Sequence, residues 1–219
     1  MPALRGSLTY ARFFVEGTVP DDFRSRFTKS VRAKAMKPLE PDDEELERSG
    51  WAKIGEPLVV ELQHEDVFYN EYVNLSFRTD RWAIPGPMLK TRVREAETAY
   101  LQKKGREKLS RSEKKELKDM VAKKLRRQMD PAMRAVDVSW SLNEGIVRFF
   151  SHAEKPGAAM MEIFEKTFSL KLIPESPYAT AARIGLTKSQ EAAWQELAMV
   201  VLADPAQRPR ITDEAAEEE

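Results

Sequence analysis

The strongest constraint on this chain is where its positive charge lies. Residues 85–128 hold fifteen lysines and arginines against six acids, a local net charge of +9, although the 219-residue chain as a whole is formally neutral. The same stretch is helical in pattern with a single break. Pro87 suits the opening turn of a helix, where its missing N–H would have had no partner. Leu89, Val93, Ala96 and Tyr100 follow at helical spacing, which places them on one face. Gly105 ends that arm. Ser110-Arg-Ser-Glu113 then opens a second arm as a capping box, the serine hydroxyl and the glutamate carboxylate each accepting from a backbone N–H that a helix start otherwise leaves free. Leu117, Met120, Val121 and Leu125 form its apolar stripe. The chain must therefore fold around a basic helical hairpin.

Two readings of that charge compete. A lysine-rich helical face is most often simply solvated, and Glu113, Glu116 and Asp119 are placed to pair locally across one helical turn. The last turn reads differently, because Lys123, Lys124, Arg126 and Arg127 are expected to face no nearby acid except Asp130. Cations there also suit the negative end of a helix dipole. A surface of this kind displaces counterions from a phosphate backbone and needs no base-reading residues. The candidate DNA-contacting set is Lys103, Lys104, Lys108, Arg111, Lys114, Lys115, Lys118, Lys123, Lys124, Arg126 and Arg127. Arg24, Arg26, Lys29 and Arg32, on an earlier helix, form a secondary basic face.

Composition removes most alternatives. With no cysteine there is no disulfide framework, thiolate nucleophile or Cys-ligated metal, and His64 and His152 are the only imidazoles. Glu61, His64, Glu65 and Asp66 are capable of holding a metal, but their spacing matches no ligand motif and a surface turn is the simpler reading. There is no Gly-rich phosphate loop, nucleophile elbow or metal-binding helix motif. A nuclease using Glu61 and Asp66 or Asp137 is the residual enzymatic option; the expectation is a non-enzyme without cofactor or metal. No apolar run reaches the roughly 18 residues of a membrane helix, and the opening Met-Pro-Ala-Leu-Arg-Gly has no hydrophobic segment of the signal-peptide kind. A cytoplasmic protein with no membrane partner is expected.

The rest of the chain predicts an α+β fold with mostly antiparallel sheets, helices packed on them and the basic hairpin protruding. Residues 4–15 read as a strand with Leu8, Tyr10 and Phe14 pointing one way. Pro20-Asp-Asp opens a helix in which Phe23, Phe27, Val31 and Ala35 recur every four residues until Pro38, and the acidic residues 40–47 form a loop or one short helical turn. Residues 58–62 and 72–84 read as strands, with Val73, Leu75 and Phe77 alternating against Asn74, Ser76 and Arg78 and residues 68–71 carrying the turn before them. Trp51 and Trp82 are either core or base-stacking surfaces. Residues 133–142 alternate through Val136, Val138, Trp140 and Leu142, then turn at Asn143-Glu-Gly145, a three-residue hairpin with glycine where φ is positive, into residues 146–150. A helix from about residue 157 buries Met160, Met161, Phe164 and Phe168, and residues 170–173 add a strand ended by Pro174. Thr187-Lys-Ser-Gln190 caps a final helix with Ala193, Leu197, Val200 and Val201 on one face, stopped by Pro205. The expected division is a DNA-binding region over residues 1–186, a helix over 187–205 and a disordered acidic tail over 206–219.

Taken in order, these pieces resemble the recombination-associated protein RdgC family of bacteria. The resemblance rests on residues 1–12 leading to a first strand, Gly50-Trp51, Ile84-Pro-Gly-Pro87, Glu113-Lys-Lys-Glu-Leu-Lys-Asp-Met-Val121, Asn143-Glu-Gly-Ile-Val147 and Leu170-Lys-Leu-Ile-Pro174, and covers about residues 1–178 at near-gapless spacing. It implies a non-enzymatic, nucleoid-associated protein that binds double-stranded DNA with little sequence preference, forms a homodimer closed into a ring around the duplex, and restrains RecA-type strand exchange. Lys108, Arg111, Lys114 and Lys118 occupy the part of the motif where the family is also basic. Two departures mark this chain. The family's long segment beyond the last helix, on which part of ring closure depends, has no counterpart here, and Met129-Asp130 stand where the family tends to carry an aromatic gate. The rival class is a protein-interaction module of the same fold that does not bind DNA, which the neutral charge and the shortened C-terminal part both permit.

Overall fold

A computed structural model describes residues 9–196. Leu8, Leu197, Val200, Val201, Pro205 and the acidic tail, named above, lie outside the described residues. The chain divides into two units, Met1–Glu175 and Ser176–Glu219. The first unit runs β1 (Ala11–Glu16), α1 (Phe23–Ala33), β2 (Glu47–Ala52), α2 (His64–Val67), β3 (Phe68–Tyr69), β4 (Tyr72–Arg81), α3 (Gly86–Lys104), α4 (Arg111–Arg126), β5 (Ala132–Ser141), β6 (Ile146–Phe149), α5 (Glu154–Phe168) and β7 (Lys171–Pro174). The fold is α+β. Its antiparallel sheet has the order β2-β4-β5-β6-β1-β7, with β3 also paired to β4.

β4 is the spine of that sheet. Along its whole length it pairs with β5, from Tyr72 opposite Ser141 to Arg81 opposite Ala132. Its other edge is shared by β2 and β3. Alternation explains the layering: Val73, Leu75 and Phe77 lie opposite Trp140, Val138 and Val136, and all six are buried on one face. Phe27 and Val31 of α1 and Met160, Phe164 and Phe168 of α5 join the same core. Ring centroids of Phe27 and Phe168 are 5.0 Å apart, and Trp140 lies 5.3 Å from both Phe164 and Phe168. Such aromatic pairs add to the large area each ring buries. Trp51 is wholly buried, its indole N–H donating to the Thr167 hydroxyl at 2.8 Å. On the opposite face, Asp80 is 1% exposed and accepts two hydrogen bonds from the Arg78 guanidinium at 2.8 and 2.6 Å, which also donates to the Pro57 carbonyl. A charge this deep persists only because it is paired and hydrogen-bonded.

Several elements differ from expectation for identifiable reasons. α1 stops at Ala33 rather than at Pro38 because the following residues are drawn to β2: Met36 N–H donates to the Trp51 carbonyl at 2.8 Å and Trp51 N–H to the Lys34 carbonyl at 3.0 Å. Ala35 therefore lies outside the helix. A Cβ on Gly50 would stand 2.4 Å from the Met36 Cα, so the close approach of this segment to β2 requires glycine. Residues 58–62 are not a strand. Lys53 N–H donates to the Val59 carbonyl and Val59 N–H to the Glu56 carbonyl, both at 2.9 Å, closing a turn, and only Leu62 anchors the run in the core. β4 ends at Arg81, short of residue 84, and Trp82 is buried beyond it; neither Trp51 nor Trp82 is a surface on which a base can stack. Ser141 pairs with Ile146, so the β5–β6 turn has four residues and Leu142 belongs to it rather than to the alternating face. α5 begins at Glu154, earlier than residue 157, and Met161 is only half-buried.

The second unit opens with α6 (Pro177–Ile184), an element absent from the sequence expectation, in which the Ser176 hydroxyl accepts from Ala179 N–H and Pro177 fills the first turn. α7 (Lys188–Gln195) follows with the expected capping box of Thr187 and Gln190. Ala193 is exposed. No helix among the described residues is long and apolar enough to cross a membrane.

Candidate nucleic-acid interface

Because β4 and β5 are antiparallel neighbours, Arg81 and Ala132 face each other across the ladder, and residues 82–131 leave the sheet and return at one place. They form the expected helical hairpin. α3 ends at Gly105, whose φ of 62° is the left-handed turn a helix end takes up readily with glycine. In α4, Glu113 N–H donates to the Ser110 hydroxyl at 3.2 Å and Ser110 N–H donates to the Glu113 carboxylate at 2.8 Å. That carboxylate also accepts from Tyr100 of α3 at 3.4 Å and from Arg106 of the connecting loop at 3.3 Å. The Ser110 N–H and hydroxyl, helped by Arg106 and Tyr100, hold the Glu113 carboxyl below its ordinary value. Leu117, Val121 and Leu125 are buried, while Leu89, Val93, Ala96 and Tyr100 of α3 are only half-buried. Met120, expected in the stripe, is 59% exposed. It lies roughly 100° round the helix from the stripe's centre, at about 100° per residue.

The same geometry sorts the cations of α4. Arg111, Lys114, Lys115 and Lys118 fall within one arc of roughly 100° in which α4 carries no acid. All four are exposed, and none has an ion-pair partner among the described residues. Lys103 and Lys104 are exposed in the last turn of α3, the Lys104 ammonium 6.0 Å from the Tyr100 ring centroid, and Lys108 is exposed in the loop. The distal part of the hairpin thus presents seven cations on an exposed surface. Long cationic side chains free of internal partners are the groups that exchange counterions for phosphate oxygens.

The root of the hairpin is different. Lys123, Lys124, Arg126 and Arg127 were expected to face no acid but Asp130, and the fold corrects this by bringing in residues 40–47. Arg127 Nη2 donates to both Asp42 oxygens at 2.9 and 2.8 Å. Hydrogen bonding to Arg127, with added charge from Arg127 and Lys123, holds the Asp42 carboxyl below its ordinary value. Arg126 is half-buried rather than exposed; it donates to the carbonyls of Pro41 at 3.4 Å and Asp43 at 3.2 Å. Lys123 and Lys124 remain exposed and line an open groove with Asp42, Glu116, Asp119, Met120 and Arg127. Arg48 shapes the acidic loop, donating to Asp43 at 2.8 Å, to Glu45 at 3.0 Å and to the Pro38 carbonyl at 2.5 Å.

The secondary basic face also divides. Arg24 lies over the rings of Phe23 and Phe68, at 5.5 and 5.3 Å, and donates to the Asn70 carbonyl. Arg32 donates to the Leu62 carbonyl at 2.6 Å and to the Gln63 side chain. These two fasten α2 and the β3–β4 turn to α1, leaving Arg26 and Lys29 exposed. The His64 ring stacks on Phe68, and Asp66 accepts from Gln63 N–H at 2.9 Å and lies 3.4 Å from the Lys53 ammonium. Asp137 is buried in the middle of β5. No group of three potential ligands converges on a metal position among the described residues.

Sequence reasoning passed over Asp42 and Glu47 as partners of the basic surface, and over Arg81, Arg134 and Lys155, which line one groove with Glu47, Phe77 and Val136. The available signal was position: Arg81 and Arg134 flank the two ends of the helical insertion. Comparison of the chain with protein-family models and with curated proteins gives no match.

Proposed function

We propose that the chain is a non-enzymatic protein that binds duplex DNA without sequence preference. The observation that carries this reading is the acid-free arc of Arg111, Lys114, Lys115 and Lys118, with Lys103, Lys104 and Lys108 beyond it at the hairpin tip. Such a surface binds by neutralising phosphates. Sequence-selective helices present Asn, Gln and Arg together to base edges, and this arc presents only point charges and one guanidinium. A homodimer, association with the nucleoid and restraint of RecA-type strand exchange follow from the family resemblance and belong to the same proposal.

The test is fluorescence anisotropy with unrelated duplexes at two salt concentrations, with magnesium and a check for cleavage. Affinities should agree within a few-fold, and Arg111→Ala/Lys114→Ala/Lys115→Ala/Lys118→Ala should flatten the salt dependence by roughly 0.9 for each phosphate no longer neutralised. A thousandfold preference for one duplex, or an unchanged slope, would sink the proposal. A second reading, a protein-interaction module, is favoured by exposed Met120, which borders a mainly apolar groove with Tyr100, Leu109 and Leu117. Absence of duplex binding at low salt would favour it.

A further inference from the structure

Residues 40–47 contain six acids in eight positions. Their carboxylates meet cations from three separate elements. Asp42 presents both oxygens to Arg127 at the end of α4, with Lys123 adding its charge. Glu47 lies 3.9 Å from Arg81 at the end of β4 and 3.7 Å from Lys155 in the first turn of α5. These pairs are exposed, so they add little to stability. The loop is nonetheless held in shape independently of them: Asp43 and Glu45 are engaged by Arg48, Glu40 N–H donates to Asp43 at 2.9 Å, and Arg126 grips the backbone at Pro41 and Asp43. Asp42 is thereby left facing α4. Arg127 gives Asp42 both bonds from Nη2 alone, and these charge-assisted hydrogen bonds are of the kind a guanidinium also donates to a phosphate oxygen.

We infer that residues 40–47 are an internal occupant of phosphate positions at the hairpin root, with the Asp42 and Glu47 carboxylates standing where phosphates of a bound duplex would lie. This rests on the DNA-binding reading and adds its regulation. The distal arc is open to DNA at rest, whereas contact with Arg127, Arg81 and Lys155 requires a phosphate to displace a carboxylate. The loop acts as an electrostatic competitor that limits the footprint and weakens binding most at low salt, where Coulomb attraction reaches furthest.

The experiment compares the full chain, Asp42→Asn/Glu47→Gln, and a charge-matched control, Glu16→Gln/Glu165→Gln, whose two acids are exposed and unpaired among the described residues. Circular dichroism establishes that all three are folded. Duplex affinity is measured at about 50 mM and at several hundred mM salt, and elution from heparin serves as a polyanion probe independent of DNA. The loop variant should bind duplex about five- to tenfold tighter than the control at low salt, with the gain shrinking as the Debye length falls below 10 Å, and should leave heparin at higher salt. Where the wild-type chain binds duplex, equal affinities of loop variant and control overturn the inference. Where no form binds duplex, the DNA reading falls and heparin decides: later elution of the loop variant upholds the masking of cations by residues 40–47, and co-elution with the control overturns it.

Discussion

In the sheet core, Trp51, Trp140, Phe27, Phe77, Phe149 and Phe164 are all wholly buried, whereas α3 buries no side chain fully and α4 buries three. The core is held by apolar area and ring packing between strands and helices far apart in sequence. The hairpin is held by a short leucine and valine seam, a glycine stop, a capping box and the shared carboxylate of Glu113. Few buried contacts and many exposed backbone hydrogen bonds make a region that opens locally without global unfolding. The basic surface is therefore carried on a part of the first unit that buries few side chains.

The comparison breaks if damage to the two regions has the same reach. Trp140→Ala should cost about 3–5 kcal/mol and lower the denaturant midpoint of the whole sheet unit, because it removes a ring that touches Phe27, Phe164 and Phe168. A loss under about 1 kcal/mol would show that the aromatic cluster is not the main support. Leu117→Ala should cost about 2 kcal/mol, at the low end for a buried leucine, with the effect confined to the arm. Hydrogen exchange would then rise across α3 and α4 while β4 and β5 amides stay protected; equal loss in both would unite the regions into one cooperative block. Ser110→Ala should cost about 1 kcal/mol and fray the first turn of α4 only.

The smallest effect is that of pH. The Ser110 N–H, the leading cause, holds Glu113 below its ordinary 4.5, so the cap contributes fully above that value and is lost as pH falls through the lowered native value. Acid titration followed by amide NMR should loosen the start of α4 before the sheet, and Glu113→Gln should remove that early step. An unchanged titration in the variant would assign the loosening to another group.

How much was visible in the sequence follows the same division. The arm was legible almost to the residue, because caps, glycine stops and helical stripes are local signals: Gly105, the Ser110 box and Leu117, Val121 and Leu125 all lie where they were expected. β5 and β6 were legible by alternation. β2 was not, since Glu-Arg-Ser-Gly-Trp-Ala has no alternating apolar face and becomes a strand only through its backbone pairing with β4. Residues 58–62 misled for the converse reason, an apolar run whose backbone is spent on a turn. In the candidate site, the distal cations were readable from local charge. The engagement of Arg127 by Asp42 was not, because the two lie far apart in sequence and no short-range pattern links them.

The insertion of the arm at the end of the sheet's spine has a further consequence for how the chain reaches its fold. Pairing Arg81 with Ala132 closes a loop over residues 82–131, and for a structureless chain the entropy of closure grows with the logarithm of loop length. α3 and α4 form from contacts close in sequence, joined only by residues 105–110. Once the hairpin has formed, its two feet are already near each other and the long closure becomes a short one. The arm is thus an internal tether that lowers the effective contact order of the β4–β5 ladder. It also decouples length from register: adding whole turns to both helices would lengthen the basic surface and still return the chain with Ala132 opposite Arg81.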